Sequence, residues 1–199
     1  SLEGLMQIAY RLSREGKKNA LVVIESTITR GISDRVIEIL GHKMHVAHVP
    51  HRFYAEEEKD HGVRQMRVLG GCEACCTSRA LHFYRDLDIP VHVVDSAEIA
   101  ELSKVIENSY RFLEIAFVEE LKMLCDGYRL DFEKLRTAIN TKWNVKLLEA
   151  RQGIGGHCLP KDAQMYMDLS RPILETSIID SAKTIDEKYR MSLTQQHDH

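Results

Sequence analysis

The densest run of reactive and permissive residues in the sequence is Gly153-Ile-Gly-Gly-His-Cys-Leu-Pro-Lys-Asp162. Its glycines, Gly153, Gly155 and Gly156, let backbone come close to a ligand and adopt positive φ. Cys158 is expected just before a helix start, where the helix dipole and free N–H groups favour a thiolate. Asp162, four residues on, is placed to steer a water or a proton near that sulfur. The same segment also reads as a Gly-rich turn followed by a buried Cys, with Asp162 as an N-cap. Residue types alone leave both readings open.

Lys104 and Asn108 lie four apart in a helical pattern, so an ammonium and an amide share one face as a clamp for a developing oxyanion. The plainer alternative is a solvated face on which Lys104 pairs with Glu101 or Glu107. The chain has 10 histidines, and His42, His45, His48 and His51 recur at three-residue intervals. That interval aligns side chains on a helix, whereas Val46–Pro50 reads as strand and sends His45 and His48 to opposite sides. Cys72-x-x-Cys75-Cys76 resembles half a zinc site, with no second pair at a suitable spacing and a helical look to the segment. Neither pattern converges on one point, so no metal site is expected.

Positioning these residues falls to alternating elements. Leu2–Glu15 reads as an amphipathic helix with Leu5, Ile8, Ala9 and Leu12 on one stripe. Ala20–Glu25 is a continuous apolar run, the mark of a strand buried on both faces. Gly31–Leu40 is helical, Met44–Val49 a strand stopped by Pro50, Arg67–Leu69 a strand leading to a Gly70-Gly71 turn, Cys72–Leu87 helical, and Val91–Val94 a strand. This alternation predicts βαβ units and a parallel sheet. From Ser96 to about Asp126 there is no Pro and no Gly, and apolar residues from Ile99 to Leu124 recur at helical spacing. That is one helix of about 30 residues, about 45 Å long. Asp131–Asn140 is a further helix, Thr141–Pro160 mostly loop, Asp162–Ser170 and Pro172–Arg190 two more helices, and Thr194–His199 a frayed tail. The expected division is an α/β part, residues 1–95, and an all-α part, residues 96–199.

Composition narrows the class. The 199 residues are 44% hydrophobic and 29% charged, as in a soluble globular protein, and the net charge is −3. No Lys/Arg block is long enough to track a phosphate backbone, which argues against nucleic acid as a partner. No apolar run spans a bilayer, which argues against a membrane. Five cysteines, with Cys75 and Cys76 adjacent, fit a reducing, cytoplasmic compartment better than a disulfide framework.

Taken together, these motifs resemble the UDP-glucose/GDP-mannose dehydrogenase family. The residues that carry the resemblance are Glu25-Ser-Thr-Ile28, Pro50-His-Arg52, Arg67-Val-Leu-Gly-Gly71, Ala100-Glu-Leu-Ser-Lys-Val-Ile-Glu-Asn108, Leu124-Cys-Asp126, Ala138-Ile-Asn-Thr141 and the run from Gly153 to Asp162. They stand in the family's order and spacing from about residue 20 to 190. His157 before Cys158 is similar to the branch acting on N-acetylated hexosamines such as UDP-N-acetylmannosamine.

The resemblance implies the C-terminal part of a Rossmann-like NAD domain followed by a central helical domain that dimerises through one long helix, 96–126. It implies oxidation of a UDP-sugar at C6 to the uronic acid, with NAD consumed twice. Cys158 is then the nucleophile that forms a thiohemiacetal and a thioester. Lys104 and Asn108 stabilise the oxyanion, and Asp162 with Thr27 places the hydrolytic water. Ser26, Thr27 and Lys161 face the cofactor; Lys104, Asn108, Gly153, Gly155 and Gly156 face the substrate.

The chain departs from the family pattern at several of these places. It has no Gly-x-Gly-x-x-Gly fingerprint, and His51 stands where the family has a Glu. Ala150-Arg151-Gln152 replaces a proline-glycine pair, and Thr29 and Arg30 replace prolines. The chain by itself is therefore expected not to turn over. The alternative reading is a non-catalytic remnant that serves dimerisation or assembly.

Overall fold

The structure, a computed structural model, describes residues 2–52 and 62–197. Ser1, Asp198 and His199 of the expected termini lie outside them. The chain packs as two compact units, Ser1–Val105 and Ile106–His199.

In the first unit, α1 (Leu2–Glu15), β1 (Leu21–Ile24), α2 (Ile32–Ile39), β2 (His45–His48), β3 (Arg67–Gly71), α3 (Ala74–Asp86) and β4 (Val91–Val93) follow in order. The sheet order is β1-β2-β3-β4. β1 and β2 pair in parallel, as do β3 and β4, because α2 and α3 carry the chain back between them. β2 and β3 pair antiparallel, Ala47 opposite Gly71. The sheet is therefore mixed, where the alternation predicts parallel pairing throughout. A pattern of strands separated by helices says nothing about a connection that holds no helix among the described residues.

Two apolar layers flank this sheet. One centres on Ile24, Val36, Leu40 and Val46, with Met6 and Ala9 of α1 packed against it. The other holds Ala47, Val49, Leu69, Ala80 and Tyr84. In α1, Ile8 is exposed and Met6 is buried, so the buried stripe is rotated from the expected one. β1 is an edge strand, and its Leu21, Val22 and Val23 are half-buried rather than sealed on both faces. Gly70 and Gly71 belong to β3 rather than to a turn. A Cβ on Gly70 would sit 2.1 Å from the Ser96 carbonyl oxygen, so the missing side chain lets the chain entering the next helix lie against the strand.

That helix, α4 (Ala97–Tyr128), runs 32 residues and passes through Gly127. The Ile99 N–H donates to Ser96 Oγ at 3.2 Å, a side-chain cap on the first turn. The division between the two units falls inside α4. The second unit adds α5 (Phe132–Ile139), α6 (Cys158–Ser170) and α7 (Ile178–His197). Asp131 caps α5 by accepting from the Lys134 N–H. α6 begins at Cys158, earlier than the expected Asp162, and α7 begins at Ile178 after the turn that Pro172 opens. Its last turns include Thr194–His197, expected to be frayed. Phe112, Ala116, Ile154, Ala163, Met167 and Ile179 form the unit's main core.

Candidate active site

In the second unit, α6 carries Cys158 at its first position and Asp162 one turn later. Cys158 is exposed, against the reading of a buried Cys in a plain turn. His157 precedes it as the N-cap residue and makes no side-chain cap bond. The first-turn N–H groups of such a helix lack partners within it, which favours negative charge at that end.

Asp162 is not an N-cap. It is fully buried inside α6, and its Oδ2 accepts from Asn108 Nδ2 at 2.5 Å. Ser109 Oγ donates to the Asp162 carbonyl at 3.3 Å, so α4 grips this residue by side chain and backbone together. Lys161 Nζ lies 3.1 Å from Asp162 Oδ1 as an ion pair. The Asn108 amide is thus engaged with Asp162, and Lys104 stands one turn back along α4.

The glycine run is pinned from α7. Ile154, buried in the core, donates its N–H to Asp186 Oδ1 at 2.7 Å, and its carbonyl accepts from Arg190 Nη2. Asp186 and Arg190 also pair with each other at 3.1 Å. Gly153 has φ +90°, and a Cβ there would stand 2.8 Å from the Arg190 side chain. Gly156 also has positive φ, at +78°. Gly155 and Gly156 are exposed beside Cys158. Asp186 and Arg190 escape sequence reasoning, because an i,i+4 Asp–Arg pair is indistinguishable from an ordinary solvated helix pair. The same two residues border a cavity of about 310 Å³, together with Phe112, Pro160, Ala163 and Met167.

In the first unit, Ser26 and Thr27 follow the carboxyl end of β1, Ser26 exposed and Thr27 half-buried. The segment after them is fixed by Glu101 of α4. Its carboxylate accepts from the Gly31 N–H at 2.6 Å and the Ser33 N–H at 2.7 Å, satisfying the open start of α2. Glu101 is fully buried, and that burial raises its carboxyl above the ordinary range despite these bonds. Glu101 therefore holds α2 rather than pairing with Lys104, as the solvated-face reading has it.

Glu25 Oε1 accepts from Arg67 Nη1 at 2.5 Å and from the Tyr84 hydroxyl at 2.6 Å. Arg67 lies over the Tyr84 ring, 5.5 Å from its centre. Burial, then the bond to Glu25, pushes the Tyr84 hydroxyl upward. Beside this cluster the His51 N–H donates to the Glu25 carbonyl at 3.0 Å. Burial first, then the positive charges of Arg67 and Lys104, lowers the His51 imidazole against the pull of Glu25.

Comparison with known proteins places this arrangement. The model of the UDP-glucose/GDP-mannose dehydrogenase family, central domain, matches residues 98–188. The chain is 31% identical over 179 residues to a UDP-N-acetyl-D-mannosamine dehydrogenase of Pyrococcus horikoshii, covering 86% of this chain and 42% of that protein. It is 28% identical to the enzyme of the same name from Campylobacter jejuni, covering 94% and 49%. The solved structure of the Pyrococcus horikoshii UDP-D-ManNAc dehydrogenase superposes with a TM-score of 0.80 at 27% identity, over 95% of this chain and 47% of that one. The chain thus spans about half the length of the relatives it matches. From α4 into α7, residues 98–188, the chain matches the central domain of the UDP-glucose/GDP-mannose dehydrogenase family.

Proposed function

We propose that this chain carries the covalent half-site of an NAD-dependent nucleotide-sugar 6-dehydrogenase acting on a UDP-N-acetylhexosamine. The observation that carries the reading is an exposed thiol at the first position of α6, one helical turn from a buried carboxylate gripped by Asn108. Cys158 adds to the C6 aldehyde, its S–C bond forming as the carbonyl oxygen takes up negative charge. Lys104 and Asn108 supply the positive charge and the amide dipole that favour this tetrahedral state. After the second oxidation, water replaces sulfur at C6 and releases the acid, with Asp162 orienting it.

NAD, when bound, accepts the two electrons of each oxidation as hydride. The residues present fit part of its site. Ser26 and Thr27 stand at the carboxyl end of β1, the edge at which open α/β sheets receive ligands. The sequence holds no Gly-x-Gly-x-x-Gly turn to cradle the pyrophosphate.

We also infer that α4 pairs with α4 of a second copy. Its face toward the chain's own core is made of Ala97, Ala100, Val105, Phe112 and Ala116, while Ile106, Tyr110, Phe117 and Leu124 on the opposite stripe are exposed. A helix apolar on both faces has more to cover than one chain supplies.

Brief iodoacetamide treatment with peptide mapping tests the site. Cys158 is expected to label faster than Cys125, which is buried, and UDP-N-acetyl-D-mannosamine is expected to slow labelling at Cys158 alone. Equal labelling of the two thiols, or no protection by the nucleotide sugar, contradicts the nucleophile role.

A further inference from the structure

The histidine ladder and the Cys72–Cys76 segment point nowhere as separate sequence patterns, yet the fold joins them. β2 begins at His45, and α3 begins at Ala74, which puts Cys75 and Cys76 in its first turn. The His45 Nδ1, Cys75 Sγ and Cys76 Sγ atoms all lie within 4.8 Å of one another. We propose that His45, Cys75 and Cys76 form a binding site for a thiophilic divalent cation, Zn²⁺ above all, with water completing the tetrahedron.

Four features of the first unit support this. Around tetrahedral Zn²⁺, bonds of about 2.3 Å to sulfur and 2.0–2.1 Å to nitrogen set donor separations of about 3.6–3.8 Å. The Cys76 Sγ to His45 Nδ1 distance is already 3.8 Å, and all three donor atoms lie within 4.8 Å of one another. Second, the Val46 N–H donates to Cys76 Sγ at 3.3 Å. A sulfur that accepts from backbone is oriented as a ligand sulfur needs to be, and such outer contacts tune a metal-bound thiolate. Third, both cysteines stand in the first turn of α3, at the positive end of its helix dipole. Fourth, burial is graded: Cys76 is buried, His45 half-buried and Cys75 exposed, so a cation reaches the site from solvent while one ligand anchors in the core.

Neighbouring groups mark the limits of the site. Glu73, the residue before α3, accepts from His42 Nδ1 at 2.8 Å and from the Cys75 thiol at 3.4 Å. It lies outside the three-atom cluster and acts on Cys75 from the solvent side. Cys72 interacts through its thiol with Asp34. A bound cation would tie the first turn of α3 to the start of β2, one strand away from Gly70-Gly71 in β3.

Co²⁺ titration of the reduced, full 199-residue chain tests the site. One Co²⁺ per chain is expected to give tetrahedral d–d bands and thiolate-to-metal charge transfer, reversed by one equivalent of Zn²⁺. Zn²⁺ is expected to slow iodoacetamide labelling of Cys75 about tenfold or more while Cys158 still reacts. Cys75→Ser, an exposed change that leaves the fold intact, should weaken binding by more than about 100-fold and remove the charge-transfer band. Cys72→Ser and Cys158→Ala should keep the band. A purely octahedral Co²⁺ spectrum overturns the proposal, and so does a charge-transfer band that survives Cys75→Ser or disappears with Cys158→Ala.

Discussion

Removing the Asn108 amide strands a fully buried carboxylate oxygen on Asp162, and it does so without touching Cys158. Losing one partner of a buried charged group costs about 1–3 kcal/mol or more. Asn108→Ala should therefore lower the denaturation midpoint of the second unit by that order while Cys158 stays exposed, which urea titration followed by thiol labelling would show. Gly153→Ala should act similarly, since it forces a side chain to φ +90° against Arg190. At this scale the sequence is partly legible. Cys158 and Asp162 are four residues apart, so their shared face follows from helical period once a helix is assigned. The Asn108–Asp162 contact joins residues 54 apart in sequence, and Ile154's bonds to Asp186 and Arg190 span 32 and 36. Local pattern carries no information about such pairs, which is why Asp186, Arg190 and Glu101 have no sequence signal of their own. His45 with Cys75 and Cys76 is the same case: two unconvincing motifs that meet only when β2 and α3 pack.

Among the elements, α4 is the longest described and contributes both to the cores of the chain and to its exposed apolar surface. Its periodic stripe is plain in the sequence, but the stripe that packs inside the chain is the one of small residues, Ala97, Ala100 and Ala116, where close approach matters more than side-chain size. The larger residues face outward, with Tyr110 62% and Phe117 52% exposed. Pairing of two copies along this face should make the chain sediment as a dimer at micromolar concentration, and Phe117→Lys should shift it toward monomer. A clean 22.9 kDa species for the unaltered chain would sink the pairing. Strand order is less legible than helix position. Parallel β1/β2 and β3/β4 follow from the helices between them, whereas the antiparallel β2/β3 pair does not follow from any local pattern.

Across the whole molecule, two buried groups, one in each unit, couple stability to pH in opposite senses. His48 in the first unit is fully buried, and burial lowers its imidazole from 6.5 to about 4. Between those values the unfolded chain binds a proton that the folded chain refuses. The contribution is complete above pH 6.5 and lost as pH falls toward 4, about 3 kcal/mol in all. Glu119 in the second unit is raised from 4.5 to about 7, first by burial and then by the charge of Asp186. Its folded form holds a proton that the unfolded form releases. That contribution is complete below pH 4.5 and lost as pH rises through 7, again about 3 kcal/mol. Hydrogen exchange across pH 4–7.5 should therefore show protection around His48 falling toward acid and protection around Glu119 falling toward neutrality. Glu119→Gln should flatten the second trend. None of the helices among the described residues is long and apolar enough to cross a membrane.

The central claim is that Cys158 is the nucleophile toward a C6 aldehyde, and the aldehyde form of a UDP-N-acetylhexosamine tests it without any cofactor. Thiolate addition with uptake of one proton gives a thiohemiacetal and leaves nothing behind, so the adduct mass equals the sum of chain and aldehyde. Native mass spectrometry of the purified chain with this aldehyde should show one adduct, mapped to Cys158 and absent in Cys158→Ser. An adduct that persists in Cys158→Ser, or no adduct on the unaltered chain at millimolar aldehyde, would contradict the account.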